Sequence, residues 1–277
     1  MINRNHTGKF SIANITVSVL ILLIVVTVVF TVKLAVERYQ AGVNSGVMLE
    51  AIPMEGMLEK EVLKRVQKMA DAMDRAPQNA RYDPNNDRII PEVRGRQVDV
   101  YTTVRRVMEA EKGERVELAV INLEPEITSE IFKSIDQKIA SFSTSGGGSA
   151  GRSDNLYVAA KYMNRTILAP GDVFSFNKVT GPRTFERGYS MAPIVGGTGI
   201  GGGVCQVATT VYNAALAADL EIIERYPHSI QVGYVRPGRD ATVTDYLDFK
   251  FRNSTDKFIQ IHSGAGGGHV WVQLWSQ

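Results

Sequence analysis

From Phe10 to Val32 the chain carries no charged side chain, and from Ile15 onward it is almost wholly Val, Ile, Leu, Thr and Phe. At 1.5 Å per residue, a helix over that stretch crosses a hydrocarbon core of about 30 Å with little or no tilt. A buried core helix is a weak alternative, because nothing charged interrupts the run. A cleaved signal peptide has a shorter apolar region, about 7 to 15 residues, ending in a small-residue cleavage site. Here the run is longer and leads into Lys33, Glu37 and Arg38. An uncleaved, single-pass membrane anchor is expected. Arg4 and Lys9 precede it without an acidic residue, which favours a cytoplasmic N-terminus and an extracytoplasmic remainder, although Lys33 and Arg38 blunt the contrast.

About 240 residues follow the span, enough for one or two domains with proper cores. The 31 basic and 29 acidic residues leave a net charge of +2, without a nucleic-acid signature. The expected fold class is α+β, with 1–40 as tail and anchor, 41–142 as a small α+β module and 143–277 as a mixed α/β domain. In the first module Met57, Leu58, Val62, Val66, Met69 and Met73 recur at helical spacing. Arg81 to Asp99 has turn chemistry at Asp83-Pro84-Asn85-Asn86 and reads as a hairpin. Val100 to Ala110 reads as helix, Val116 to Leu123 as a strand, and Ile127, Ile131, Ile135 and Ile139 as one helical stripe. Ser143 to Ser153, rich in glycine and serine, reads as a linker or mobile loop. Asp154 is placed as the cap of a helix running to Asn164. Strands are expected around Phe249 and Phe251 and from Val270 to Leu274, surrounding a helix that carries a cysteine.

That cysteine, Cys205, is the only one in the chain, and six glycines between Gly196 and Gly203 precede it. An extracytoplasmic structural cysteine normally has a partner, and none exists within the chain. An inert buried thiol, half of an intermolecular disulfide and a reactive group are the three readings. Val207, Val211, Ala214, Ala215 and Ala218 form an apolar stripe that puts Cys205 at or just before a first helical turn. There the helix dipole and unpaired N–H groups favour a thiolate, which supports the reactive reading. Gly201, Gly202 and Gly203 permit close approach of a substrate, and the N–H groups of the bend are candidates to receive an oxyanion. The lysine and hydroxyl of a P-loop are missing.

A base would come from three histidines. His262 and His269 flank a glycine-rich loop and read as exposed turn residues, while His228 precedes a strand-like run. On residue type alone, His228 is as readily structural as catalytic. Asp240 is a candidate to orient the imidazole, or else a turn residue. A Cys-His-Asp metal site lacks paired ligand spacing, so no metal or cofactor is expected.

Four segments carry a resemblance: "RSDNLYVAAKYMN", "LAPGDVFSFNKVTGPRTFERGY", "GGGVCQVATTVYNAALAADLEIIERYPHS" and "GYVRPGRDATV". In order and spacing they resemble the successive motifs of the VanW domain family, over roughly Ser143 to the end. Pro77 to Ser134 more weakly resembles the YoaR-type domain, to which peptidoglycan binding is ascribed. The resemblance implies cell-envelope work in a family named after a vancomycin-resistance cluster, some members of which act as L,D-transpeptidases. Carried over, Cys205 is the nucleophile, His228 the base and Asp240 an orienting group, with Gly202, Gly203, Gln206, Arg183 and Tyr189 expected to contact substrate. Peptidoglycan stem peptides are the implied partner. A binding or scaffold protein, holding wall peptides without turnover, is the competing class.

Overall fold

The computed structural model describes residues 12–277, with side chains from Val17 onward; Arg4 and Lys9 lie outside the described residues. Helix α1 spans Ile12–Ala41, and Val17–Ala41 within it is long and apolar enough to cross a membrane, with none of that window buried by protein. Its hydroxyls fold back on the helix: Thr27 donates to the Leu23 carbonyl and Thr31 to that of Val28. Such bonds let threonine sit in apolar surroundings without an orphan donor.

The chain forms two compact units. One comprises the described residues up to Ala76 together with Gly95–Leu123; the other comprises Pro77–Arg94 and Glu124–Gln277. The units alternate along the sequence.

In the first unit, α2 (Glu59–Met73) buries Val62, Val66 and Ala70 against α3 (Val100–Glu109). Glu61 secures the start of α2, accepting from the Leu58 N–H at 2.9 Å and from Arg38 at 2.6 Å. Asp99 caps α3 through the Thr102 N–H. Arg115–Val116 pairs with Met48–Leu49, and Val120–Leu123 pairs with Gly95–Val98. The single strand expected from Val116 to Leu123 is thus two short ones with different partners.

The second unit is built on a four-stranded sheet ordered Gln137–Ser145, His269–Ser276, Ile259–Gly266, Ile167–Leu168, every neighbour antiparallel. Helices α5 (Ala150–Met163) and α7 (Val204–Ala217) pack on it, and the short α6 (Phe176–Thr180) packs on α5. A three-stranded sheet of Val173–Ser175, Lys250–Arg252 and Glu221–Glu224 closes the core, which Phe174, Phe249 and Phe251 fill with stacked and tilted rings. The hairpin Arg81–Asp83 to Arg88–Ile90 stands where the sequence puts it.

Three local readings change. Helix α4 is only Ser129–Ser134, and Ile139 lies on a strand, because ladder hydrogen bonds to His269–Ser276 override the helical spacing of the isoleucines. Ser143–Ser145 completes that strand, and the serine after Gly148 caps α5: the Ser149 hydroxyl accepts from the Arg152 N–H at 3.3 Å. The stretch read as a linker is a strand end, a short turn and a helix start, and Asp154 lies inside α5 instead of capping it.

Candidate functional site

Helix α7 is apolar on one side, with Val207, Val211, Ala214 and Ala215 fully buried, yet it carries two rows of polar residues. Cys205, Thr209 and Asn213 recur every fourth position and so share a face. All three meet the segment 239–243: the Cys205 Sγ lies 3.5 Å from the Val243 N–H, Thr209 Oγ1 accepts from the Ala241 N–H at 2.9 Å, and Asn213 donates to the Arg239 carbonyl at 2.7 Å. Gln206 and Thr210 form the second row, bonding Thr144 of the large sheet. Buried polar groups are tolerated when so paired, and here they fix the helix in register with the segment that bears Asp240.

Cys205 is the second residue of α7, and the N-cap is Gly203, at φ 104°. That left-handed geometry is strained for any residue with a Cβ. A Cβ on Gly202 would approach the Pro193 and Ala192 carbonyl oxygens to 2.6 and 2.8 Å. Buried Asn155 of α5 pins the turn, donating to the Gly202 and Ser190 carbonyls and accepting from the Ser190 N–H. The glycines let the chain pass between these groups and leave the start of the helix open to a cleft of about 710 Å³.

His228 lines that cleft with Cys205. Asp240 lies behind it: Oδ2 accepts from His228 Nδ1 at 2.7 Å and from the His228 backbone N–H at 2.6 Å, while Oδ1 accepts from Arg225 at 2.9 Å. A carboxylate only accepts, so Nδ1 carries the proton and Nε2 is the nitrogen left for the thiol. Burial alone would push the Cys205 thiol up, but its hydrogen bond with His228, the Val243 backbone and the nearby His228 and Arg183 charges outweigh this and lower it. The His228 imidazole is raised, first by Cys205 and then, against burial, by Asp240. Asp240 is held below the usual carboxylate range, since the His228 bonds and Arg225 overcome its burial. All three shifts favour a thiolate beside an imidazolium backed by a carboxylate. Among the described residues no three His, Cys, Asp or Glu side chains are placed to hold a metal ion.

The other residues singled out from the sequence divide. Arg183, Gly202 and Gly203 line the same cleft. Gln206 is fully buried beneath it, and Tyr189 is a core side chain whose hydroxyl faces the Thr180 carbonyl, because its ring packs inward from the 3-10 turn Phe185–Arg187. His262 is no turn residue: it lies on a strand, stacked on Trp275, and burial with Arg165 nearby brings it down to about 4. Sequence reasoning missed Arg152, Asn155, Arg225 and Tyr234. Tyr234 stands edge-on to His228, with ring centroids 6.5 Å apart, and burial raises its phenol. The four-residue spacing of Cys205, Thr209 and Asn213 was the one local signal of what α7 holds.

Residues 151–275 match the family model described as "VanW like protein". Over 169 residues, 58% of this chain, the sequence is 38% identical to a Bacillus subtilis protein named "Uncharacterized protein YoaR", covering 56% of that protein. Over 118 residues, 39% of this chain, it is 32% identical to "Vancomycin B-type resistance protein VanW" of Enterococcus faecalis, covering 42% of it. The chain spans about half the length of these curated relatives. No solved structure matches it.

Proposed function

We propose, from the match of residues 151–275 to the VanW family model and from the two VanW-type relatives, that this is a membrane-anchored cell-envelope protein of the VanW type acting on peptidoglycan stem peptides by cysteine-dependent acyl transfer. The observation that carries this reading is the thiol–imidazole–carboxylate arrangement of Cys205, His228 and Asp240 at the wall of an open cleft.

In this reaction the Cys205 thiolate attacks the carbonyl of the third residue of a tetrapeptide stem. Negative charge develops on the carbonyl oxygen, facing the N-terminal turn of α7. The tetrahedral adduct collapses as the His228 imidazolium gives its proton to the departing amine, and a D-amino acid leaves. The product is a thioester on Sγ. An amine from a second stem attacks it, loses its proton to the now neutral His228, and displaces the thiolate, giving a 3-3 cross-link. Water in place of the amine makes the protein a carboxypeptidase. Asp240 keeps the Nδ1 tautomer throughout.

The test is the intact mass of the full chain in detergent after incubation with a disaccharide tetrapeptide. A tripeptide acyl adduct that disappears in Cys205→Ala supports the reading. A folded wild-type protein that binds the muropeptide and forms neither adduct nor product makes it a binder instead.

A further inference from the structure

Two arginines flank the glycine turn from which α7 starts. A Cβ on Gly203 would lie 2.7 Å from Arg152 Nη1, and one on Gly201 would lie 2.8 Å from the Arg183 Cδ. Both arginines line the cleft with Cys205. What they are paired with is unusual. Arg152 donates to the neutral Gln206 amide at 2.7 Å, and no carboxylate among the described residues lies within 4.0 Å of it. Arg183, with a side chain only 10% exposed, donates to the neutral Asn177 at 2.8 Å, and its one acidic neighbour, Asp245 at 3.3 Å, is 80% exposed. The Nε of each is buried without a partner.

Removing a guanidinium from water without a carboxylate is costly, and proteins normally supply the counter-ion. Here Arg152 is held by a neutral amide alone, and Arg183 by a neutral amide and one exposed carboxylate, Asp245, so that Arg152 in particular is positioned without its charge being matched. Cys205 does not fill the role for Arg152, since the charges that act on its thiol are those of His228 and Arg183. Arg152 therefore lacks an anion that a ligand would bring, and the exposed Asp245 leaves Arg183 open to sharing it. The planar fork of arginine suits a carboxylate. Gly203 lies two residues before Cys205, and one residue step is about 3.8 Å; a carboxylate one residue beyond the attacked carbonyl falls within that reach.

We infer that Arg152 and Arg183 form a receptor for the terminal carboxylate of a peptide, so that the cleft takes a free C-terminus and the residue that leaves is the one carrying it. The identification of the ligand as a peptide rests on the acyl-transfer reading; the missing counter-ion does not. The arginines position substrate and take no part in proton transfer.

The experiment uses the full chain bearing Cys205→Ala in detergent, titrated calorimetrically with a stem tetrapeptide ending in a free carboxylate and with the same peptide ending in an amide. The acid is expected to bind about tenfold to a hundredfold more tightly. Arg152→Gln should erase that preference, and Arg152→Lys should keep part of it with stronger salt dependence. Equal affinity for acid and amide, or no binding of the acid, overturns the inference, and neither outcome depends on an arginine variant folding. Intact-mass measurement of the wild type separates the two ideas. Equal acylation by both peptides would leave acyl transfer standing and sink the receptor, whereas acid-selective binding with no adduct would do the reverse.

Discussion

Asp240 grips His228 at two points, its ring Nδ1 at 2.7 Å and its backbone N–H at 2.6 Å, through the same carboxylate oxygen. One atom thus sets both where the residue sits and how its ring is turned. Asp240→Asn keeps the size but loses the charge and the unambiguous acceptor. Its acylation rate should fall by about 10²-fold, and the His228 pKa should move down, because one cause of its elevation is gone. Imidazole chemical shifts followed against pH test this. Asp240→Ala also strands Arg225 and should cost about 3 kcal/mol, read from the urea midpoint.

Cys205 should be alkylated at pH values where an ordinary thiol, near pKa 8.5, is inert. Its lowered pKa keeps it ionised as pH falls toward the folded value, and the rate drops only below that. In His228→Ala the leading favourable cause is removed while burial remains, so the rate profile should shift to higher pH. Iodoacetamide kinetics across pH 5 to 10 decide it, and an unshifted profile would mean that His228 does not address the thiol.

The glycines should differ sharply. Gly202→Ala drives a methyl into two backbone carbonyls that cannot swing aside, and should destabilise the unit by about 1–3 kcal/mol with loss of thiol reactivity. Gly197→Ala, on the neighbouring ribbon with nothing within 4 Å of the new methyl, should stay within about 0.5 kcal/mol of wild type. Thermal unfolding of the pair gives the comparison.

His262 should remain neutral down to about pH 4. A histidine with a depressed folded pKa binds its proton more readily when unfolded. Its contribution to stability is therefore full above about pH 6.5 and lost as pH falls from there toward 4. A His262 ring resonance that titrates near pH 6.5 in the folded protein would contradict this.

The orientation of the anchor can be read directly. Protease added to intact protoplasts should digest the unit that carries Cys205, as an extracytoplasmic cleft requires. Full protection would put the cleft on the wrong side of the membrane from the wall.

What the sequence made readable was whatever depends on near neighbours. The uncharged run of α1, the Asp83–Asn86 turn and the apolar spacing along α7 are properties of a few consecutive residues. The misreadings came from pairings between distant parts of the chain. Ser143 to Ser153 has the composition of a linker, and only its pairing with Trp271, Val270 and His269 makes Ser143–Ser145 a strand. Arg152 reaches the cleft because α5 and α7 pack together on that sheet, which no local spacing announces. Tyr189 was expected to contact substrate from the family resemblance, yet its ring is buried in the core.

The strap from 239 to 243 is held to α7 almost entirely by its backbone, through the carbonyl of Arg239 and the amides and carbonyls of Ala241 and Val243. Bonds of that kind do not register which side chains the strap displays. The residue at 240 can therefore change without loosening the strap from the helix, so that loss of the carboxylate releases His228 and Arg225 and silences the cleft while the strap itself stays on α7. Two proteins built on this frame could look the same at the level of the chain trace, one active and one silent, and differ only in what projects from a fixed rail.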